Sequence, residues 1–308
     1  MLRPGDQIAV VAPGSPVLSR SRLAAGMQLL RDWGFRPVPM PHLDDVRGHL
    51  AGDDTARAAD LDRAFRDPKL RAVWAARGGY GSARLLDRLD WEALRRDPKV
   101  LVGFSDVTAL LAAAWRRLRL VTFHGPFVGQ LGDLANDRLR ASSLHRLLTD
   151  SSAILTLAQG AAGATTVTGG IAEGRLVGGN LALLCSLVGT PDQPDTDGAV
   201  LLLEDVHEPP YRLDRMLVQL RRAGLLQRAA GVTVAALRSC APPADRPSAS
   251  AQEVIVDLLG DLGVPVLHGL ELGHTDGQLA VPLGVRVRLD ASARRLTMLE
   301  VATAPAAG

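Results

Sequence analysis

Apolar residues fall into short unbroken runs that alternate with stretches of helical spacing, and this alternation predicts the elements of the chain. Gln7 to Ala12 (QIAVVA) ends at Pro13-Gly14, the pattern of a buried parallel strand followed by a loop. Leu23, Met27, Leu30 and Trp33 then repeat on one helix side up to a stop at Gly34. Phe35 to Met40 predicts a second strand, which its prolines assign to an edge. Gly52 to Phe65 predicts a helix with acidic residues near its start, where the dipole favours them. Ala72 to Ala76 is the next buried strand. It opens into the loop Arg77-Gly78-Gly79-Tyr80-Gly81-Ser82, where Ser82 is expected to cap a short helix carrying Leu85, Leu86 and Leu89. Leu101 to Phe104 and Leu120 to Phe123 are further strands, and Val107, Leu110, Leu111 and Ala114 mark the helix that separates them.

Strands alternating with helices predict an open parallel α/β sheet, in which ligands lie beyond the carboxyl ends of the strands. The RGGYG loop, Ser105 and His124 all fall at such ends. From Asp150 to Gly170 the composition turns to Ala, Gly, Ser and Thr without a period, as expected of a passage between domains. Beyond it, strands are predicted over 173–177, 199–203, 232–237, 264–267, 279–281, 285–289 and 296–299, with helices over 180–188, 213–223 and 250–262. Leu213, Met216, Leu217 and Leu220 form a core stripe on the second of these helices. The expected architecture is an α/β fold in which residues 1–150 form an open parallel flavodoxin-like sheet with helices on both faces. A linker over 151–170 and a smaller mixed β/α domain over 171–308 complete it, with a loose tail over 302–308.

Composition narrows the class without changing this picture. With 308 residues, 47% of them apolar, 22% charged and 4% aromatic, the chain reads as a soluble globular protein. A formal charge of +2 carries no basic excess for nucleic acid, and Lys69 and Lys99 are its two lysines. No stretch approaches the roughly 20 apolar residues that span a bilayer, and the N-terminal apolar run is too short for a secretory core. Cys185 and Cys240 are too few for a disulfide framework or a zinc site and are expected to be buried thiols in a reducing cytoplasm. No cluster has metal-ligand spacing, so neither metal nor cofactor is expected.

Candidate chemistry centres on LVGFSD. A strand up to Phe104 and a helix from Val107 force a sharp turn at Ser105 and Asp106. The first NH groups of a helix lack partners within it and carry the positive end of its dipole, so the Asp106 NH is placed to stabilise an oxyanion beside a Ser105 nucleophile. Val107 stands where the second glycine of a nucleophile elbow would be, and the competing expectation is that Ser105 or Asp106 simply caps the helix. A serine nucleophile needs a base and an acid to orient it. Three histidines stand where loops leave strands, His124, His207 and His274, and Glu204 and Asp205 follow the apolar run AVLLL. Spacing does not choose among them. RGGYG matches neither a Walker loop nor a dinucleotide fingerprint, and its glycine pair suits close backbone approach to a substrate carbonyl.

VVAPGSP, ARGGYGSARLL, LVGFSDVTALL, TFHGP, GRLVGGNLALLCSLVGTP, LLLEDVHEPPYRLDRML and LGHTDGQLAVPLGVRVRLD, taken in order, resemble the L,D-carboxypeptidase family. That family comprises the muramoyltetrapeptide carboxypeptidases and also the self-immunity peptidases that act on microcin C. The resemblance implies Ser105 as nucleophile, Glu204 as the acid that orients the base, and His274 as the base. It implies an oxyanion hole from the backbone NH groups of Asp106 and Gly79, with Arg77, Gly78, Tyr80 and His124 as substrate-binding candidates. It also implies glycine where His207 stands, which puts a second imidazole close in sequence to Glu204. The implied reaction removes the terminal D-alanine of a murein tetrapeptide in the cytoplasm, by a homodimer without metal, nucleic-acid or membrane partner. One rival is a microcin-type immunity peptidase cleaving aminoacyl nucleotide conjugates; such a site wants an aromatic platform, and Gly189 to Gly198 (GTPDQPDTDG) contains no tryptophan. The other is an inactive ligand-binding homologue, against which stands the presence of all three expected catalytic residue types.

Overall fold

A strand that is apolar on both faces needs cover above and below, and β1 (Gln7–Val11) has it: Ile8 to Val11 are all buried. The computed structural model describes residues 1–134, 137–157, 163–276 and 278–304. After β1 come α1 (Arg20–Asp32), β2 (Arg36–Pro39), α2 (Asp54–Arg66) and β3 (Leu70–Ala75). A 3-10 turn at Ser82–Leu85 leads to α3 (Trp91–Arg96) and β4 (Val100–Gly103). A second such turn, Ser105–Val107, runs into α4 (Thr108–Leu118), followed by β5 (Thr122–His124), α5 (Val128–Leu134) and α6 (Arg138–Thr149). The strands β2, β1, β3, β4 and β5 lie side by side in parallel. This is the flavodoxin-like order, with β2 at the edge that its prolines predict. α1 packs on α5, while α2, α3 and α4 pack in sequence on one another, which gives separate helix sets for the two faces.

The second sheet begins with β6 (Thr156–Leu157), β7 (Thr165–Thr168) and β8 (Ile171–Asn180), then α7 (Leu181–Ser186) and β9 (Val200–Val206). α8 (Pro210–Arg222), α9 (Leu225–Arg228), β10 (Gly231–Arg238), α10 (Ala251–Leu259) and β11 (Val266–Leu270) follow. β12 (Val281–Leu283), β13 (Arg286–Asp290) and β14 (Arg295–Met298) end the series. β8, β9, β10 and β11 form a parallel centre, flanked by antiparallel β7 on one side and by β13, β14 and β6 on the other. The sheet is therefore mixed, as expected. α8 starts at Pro210, whose missing NH costs nothing in a first turn, and buries the predicted stripe Leu213, Met216, Leu217 and Leu220. α10 is fixed by a capping box between Ser250 and Glu253.

Among the described residues the chain divides into two compact units, one of residues 1–153 with 279–282 and 302–304, the other of residues 154–276, 278 and 283–301. Three stretches differ from the sequence expectation. The run at 279–281 does not join the second sheet, because β12 pairs beside β5 at the edge of the first. Gly125 leaves the space there, since a Cβ on it would stand 2.9 Å from that of Ala280. The expected passage 151–170 carries β6 and β7, which close opposite ends of the second sheet by pairing with β14 and β11; its residues 158–162 lie outside the described residues. Residues 302–304 are anchored rather than loose: Thr303 is buried, and the Met1 ammonium donates to the Ala304 carbonyl at 2.8 Å. The rest of the expected tail, 305–308, lies outside the described residues. Among the described residues, no helix is long and apolar enough to cross a membrane.

Where α1 meets α5, Gly26 faces backbone, and an added Cβ would overlap the Val128 carbonyl oxygen. Backbone cannot swing aside as a side chain can. Gly26→Ala is expected to destabilise the protein by about 2–3 kcal/mol through overpacking, as read from the midpoint of urea unfolding.

Candidate active site

The chain changes from strand to helix within one residue at Ser105. Phe104 is still extended at φ −159°, whereas Ser105 takes φ +53°, left-handed for a residue with a side chain. That conformation costs about 1–2 kcal/mol, the kind of local strain that persists where the surrounding structure enforces it. Here it is enforced by the Val107 NH, which donates to the Phe104 carbonyl at 2.9 Å. Gly103 makes room for the turn, since a Cβ there would stand 2.7 Å from a Val107 methyl. The residues at the two cap positions, Phe104 and Val107, make no side-chain cap, and Asp106 does not supply one. The Asp106 carboxylate turns instead to the glycine loop, where it accepts from the NH groups of Gly81 and Ser82. Ser82 is likewise no cap: Gly81 occupies that position, and the Ser82 hydroxyl donates to Asp106 at 2.6 Å.

The glycine loop lies beside the serine. A Cβ on Gly78 would be 3.3 Å from that of Ser105 and 2.6 Å from the Phe127 ring, so this position admits no side chain. Gly79 is left-handed at φ +101°. Arg77 donates to the Pro16 carbonyl at 3.0 Å, and Tyr80, 55% exposed, has its ring 5.6 Å from that of His49. His124, a substrate-binding candidate, lies at the end of β5. Its exposure is 0%, and its ring packs edge-on to Phe104 at 5.8 Å, which makes it part of the core beneath the turn.

In the second unit the end of β9 presents Glu204, whose side chain is wholly buried. Its Oε2 lies 2.6 Å from Nδ1 of His274 and accepts from the His274 NH at 3.3 Å. One carboxylate oxygen thus holds both the ring and the backbone of the histidine. With Nδ1 donating to the carboxylate, the ring is held in a single tautomer and orientation. Gly273 is what permits the approach: it sits at φ +76°, and any Cβ there would overlap Glu204 Oε2. Of the two imidazoles considered for Glu204, His274 is the one in contact. His207 is exposed, and its left-handed φ of +59° accounts for the glycine expected at this position.

Asn180 was not singled out by the sequence, although an Asn where a strand runs into a helix is itself a signal. It pairs in register with Glu204, accepts from the Leu183 NH at 3.2 Å to cap α7, and donates to Asp205 at 3.0 Å. Asp205 also accepts from the Ala182 NH at 2.9 Å. Burial pushes its carboxyl up to about 6, with the neighbouring charge of Glu204 adding to the effect. Both cysteines are buried free thiols, and burial pushes Cys185 up to about 12. Among the described residues, no group of three or more His, Cys, Asp or Glu could hold a metal ion.

Residues 8–125 match the LD-carboxypeptidase N-terminal domain, and residues 173–289 match the LD-carboxypeptidase C-terminal domain. The chain is 36% identical to the "Probable murein peptide carboxypeptidase" of Bacillus subtilis, over 97% of this chain and 93% of that protein. It is 32% identical to the murein tetrapeptide carboxypeptidase of Pseudomonas aeruginosa, over 94% of each. It is also 26% identical to the microcin C7 self-immunity protein MccF of Escherichia coli, over 96% of this chain and 94% of that protein. A solved structure of MccF in complex with glutamyl sulfamoyl guanosine superposes with a TM-score of 0.88 at 24% identity, covering 98% of both chains, and so shares the fold.

Two outcomes follow for this site. The folded Asp205 carboxyl titrates above its ordinary 3.8, so the folded state keeps a proton that the unfolded state releases. The associated stability is full below about pH 4 and is lost as pH rises through about 6, an effect on the order of 3 kcal/mol. The stability advantage of the wild type over Asp205→Asn is therefore expected to shrink across that range in urea titrations. His207→Gly, which relieves the left-handed backbone, is expected to raise stability by about 1 kcal/mol, read as a higher Tm.

Proposed function

Because the chain belongs to the LD-carboxypeptidase family, we propose that it is a serine peptidase that removes the terminal D-alanine of murein tetrapeptides. Ser105 Oγ attacks the carbonyl carbon that joins the L-centre of meso-diaminopimelate to D-alanine, while His274 Nε2 takes the hydroxyl proton. The carbonyl electrons move to oxygen, and the NH groups of Asp106 and Gly79 stabilise that oxyanion. When the tetrahedral centre collapses, the C–N bond breaks and His274 returns its proton to the departing amine. Water, deprotonated by the same imidazole, then releases the peptide from the serine ester. Glu204 steadies the imidazolium through both proton transfers.

The observation that carries this reading is the 2.6 Å pairing of His274 Nδ1 with a fully buried carboxylate. A buried carboxylate without such a partner would be costly, and the pairing fixes the tautomer that a general base requires. The strained turn that presents Ser105 supports it independently. We place the activity in the cytoplasm, in a homodimer and without a metal. The second reading, a microcin-type immunity peptidase acting on aminoacyl nucleotide conjugates, is favoured by the likeness to MccF.

Incubation of the purified protein with a murein tetrapeptide is expected to release D-alanine at a rate unchanged by EDTA, and faster than it hydrolyses glutamyl sulfamoyl adenosine. The reverse preference would establish the second reading. Ser105→Ala and His274→Ala are each expected to lower turnover by about 10⁶, and Glu204→Gln by roughly 10⁴, with unfolding midpoints near that of the wild type for the serine variant. The double variant Ser105→Ala/His274→Ala should be no slower than either single one, because the two residues act as a unit.

A further inference from the structure

In the first unit the loops after β1 and β3 meet beside the Ser105 turn, and a single buried carboxylate ties the turn to its neighbour. Asp106 is 1% exposed. Its Oδ1 accepts from the Gly81 NH at 3.0 Å, and its Oδ2 accepts from the Ser82 NH at 2.9 Å and from the Ser82 hydroxyl at 2.6 Å. Three donors aimed at one carboxyl group form a socket for the ionised acid. Burial pushes the carboxyl up, while those donors and the charge of Arg57 act against it. Arg57, itself buried, reaches under the same loops, donating to the carbonyls of Pro13 and Gly81 and to Asp54.

The loop after β1 grips the glycine pair from its other side. The Ser15 NH donates to the Gly78 carbonyl at 3.1 Å, and Ser15 Oγ accepts from the Tyr80 NH at 3.1 Å. In a trans peptide the carbonyl and the following NH point in opposite directions, so holding the Gly78 carbonyl toward Ser15 turns the Gly79 NH away from it. That peptide adjoins Ser105, as the near contact of a Gly78 Cβ shows. A hole built from two loops works only if both are held to within about 0.5 Å.

We propose that the Asp106 side chain is a positioning residue: its carboxylate clamps Gly81 and Ser82 to the Ser105 turn and thereby aims the Gly79 NH at the oxyanion. This rests on the reading of Ser105 as nucleophile. Asp106 then acts twice, donating its own NH to the oxyanion and holding the second donor through its side chain. The requirement explains an aspartate directly after the serine, where a cap would have been equally satisfied by other polar residues.

Asp106→Asn replaces one acceptor oxygen by an NH2 that faces donors, and Ser82→Ala removes one donor while leaving the charge in place. With a murein tetrapeptide as substrate, kcat is expected to fall about 100-fold in Asp106→Asn and about tenfold in Ser82→Ala, with KM within about twofold of the wild type. Amide hydrogen exchange in the segment 77–82 is expected to quicken in Asp106→Asn. A purely structural role would lower Tm and leave kcat per folded molecule unchanged. Folded variants with wild-type kcat, or unaltered exchange in 77–82, would overturn the proposal. Should Asp106→Asn not fold, Ser82→Ala decides by the same readouts. Full activity in a parallel Ser105→Ala sample would sink the nucleophile reading instead, and the exchange measurement would still decide the clamp.

Discussion

Parallel strands covered on both faces can offer solvent little but their ends. Every inward side chain of β1, β3 and β4 is committed to the core, so polar chemistry is confined to the loops at the carboxyl edge. The loops after β1, β3 and β4 occupy that edge of the first sheet. In the second sheet, Asn180 ends β8 and pairs with Glu204 near the end of the adjacent parallel strand β9. Each strand end is rigid because the strand behind it is packed, and that rigidity is what lets a one-residue turn such as Ser105 hold a strained backbone angle.

The second constraint is the cost of buried charge. Asp106 and Glu204 are both buried carboxylates, and an isolated one would be expelled or neutralised. The fold meets this differently in the two units. Asp106 is met by backbone NH groups and a hydroxyl of a neighbouring loop, so its charge serves to fix backbone. Glu204 is met by an imidazole and the NH of the same residue, so its charge serves to fix a tautomer. In both places a glycine admits the contact. A Cβ at Gly14 would stand 2.5 Å from Asp106, and one at Gly273 would overlap Glu204.

Much of this was legible before any coordinates. The buried strands of both sheets announce themselves as apolar runs, and α8 carries its stripe in plain view. The less legible elements share a cause. β6 and β7 are only two and four residues long and owe their existence to partners far away in the sequence, β14 and β11. β12 reads as an ordinary strand, but which sheet it joins depends on the space left at Gly125. Residues 302–304 (Ala-Thr-Ala) are small and carry no periodic pattern, and the docking of Thr303 and of the N-terminus is what anchors them.

At the candidate site the division is similar. Local sequence determined that a serine sits between a strand and a helix and that an acid ends the apolar strand β9, because periodicity and turn residues are properties of neighbours along the chain. Sequence by itself could not choose among His124, His207 and His274, nor tell a cap from a clamp at Asp106 and Ser82. Those choices depend on burial and on contacts between residues far apart: His124 is sealed against Phe104, His207 is turned outward by its left-handed backbone, and His274 meets Glu204 across 70 positions. A hydrogen bond over such a separation is a fact of packing, and packing exists only once the chain has closed on itself.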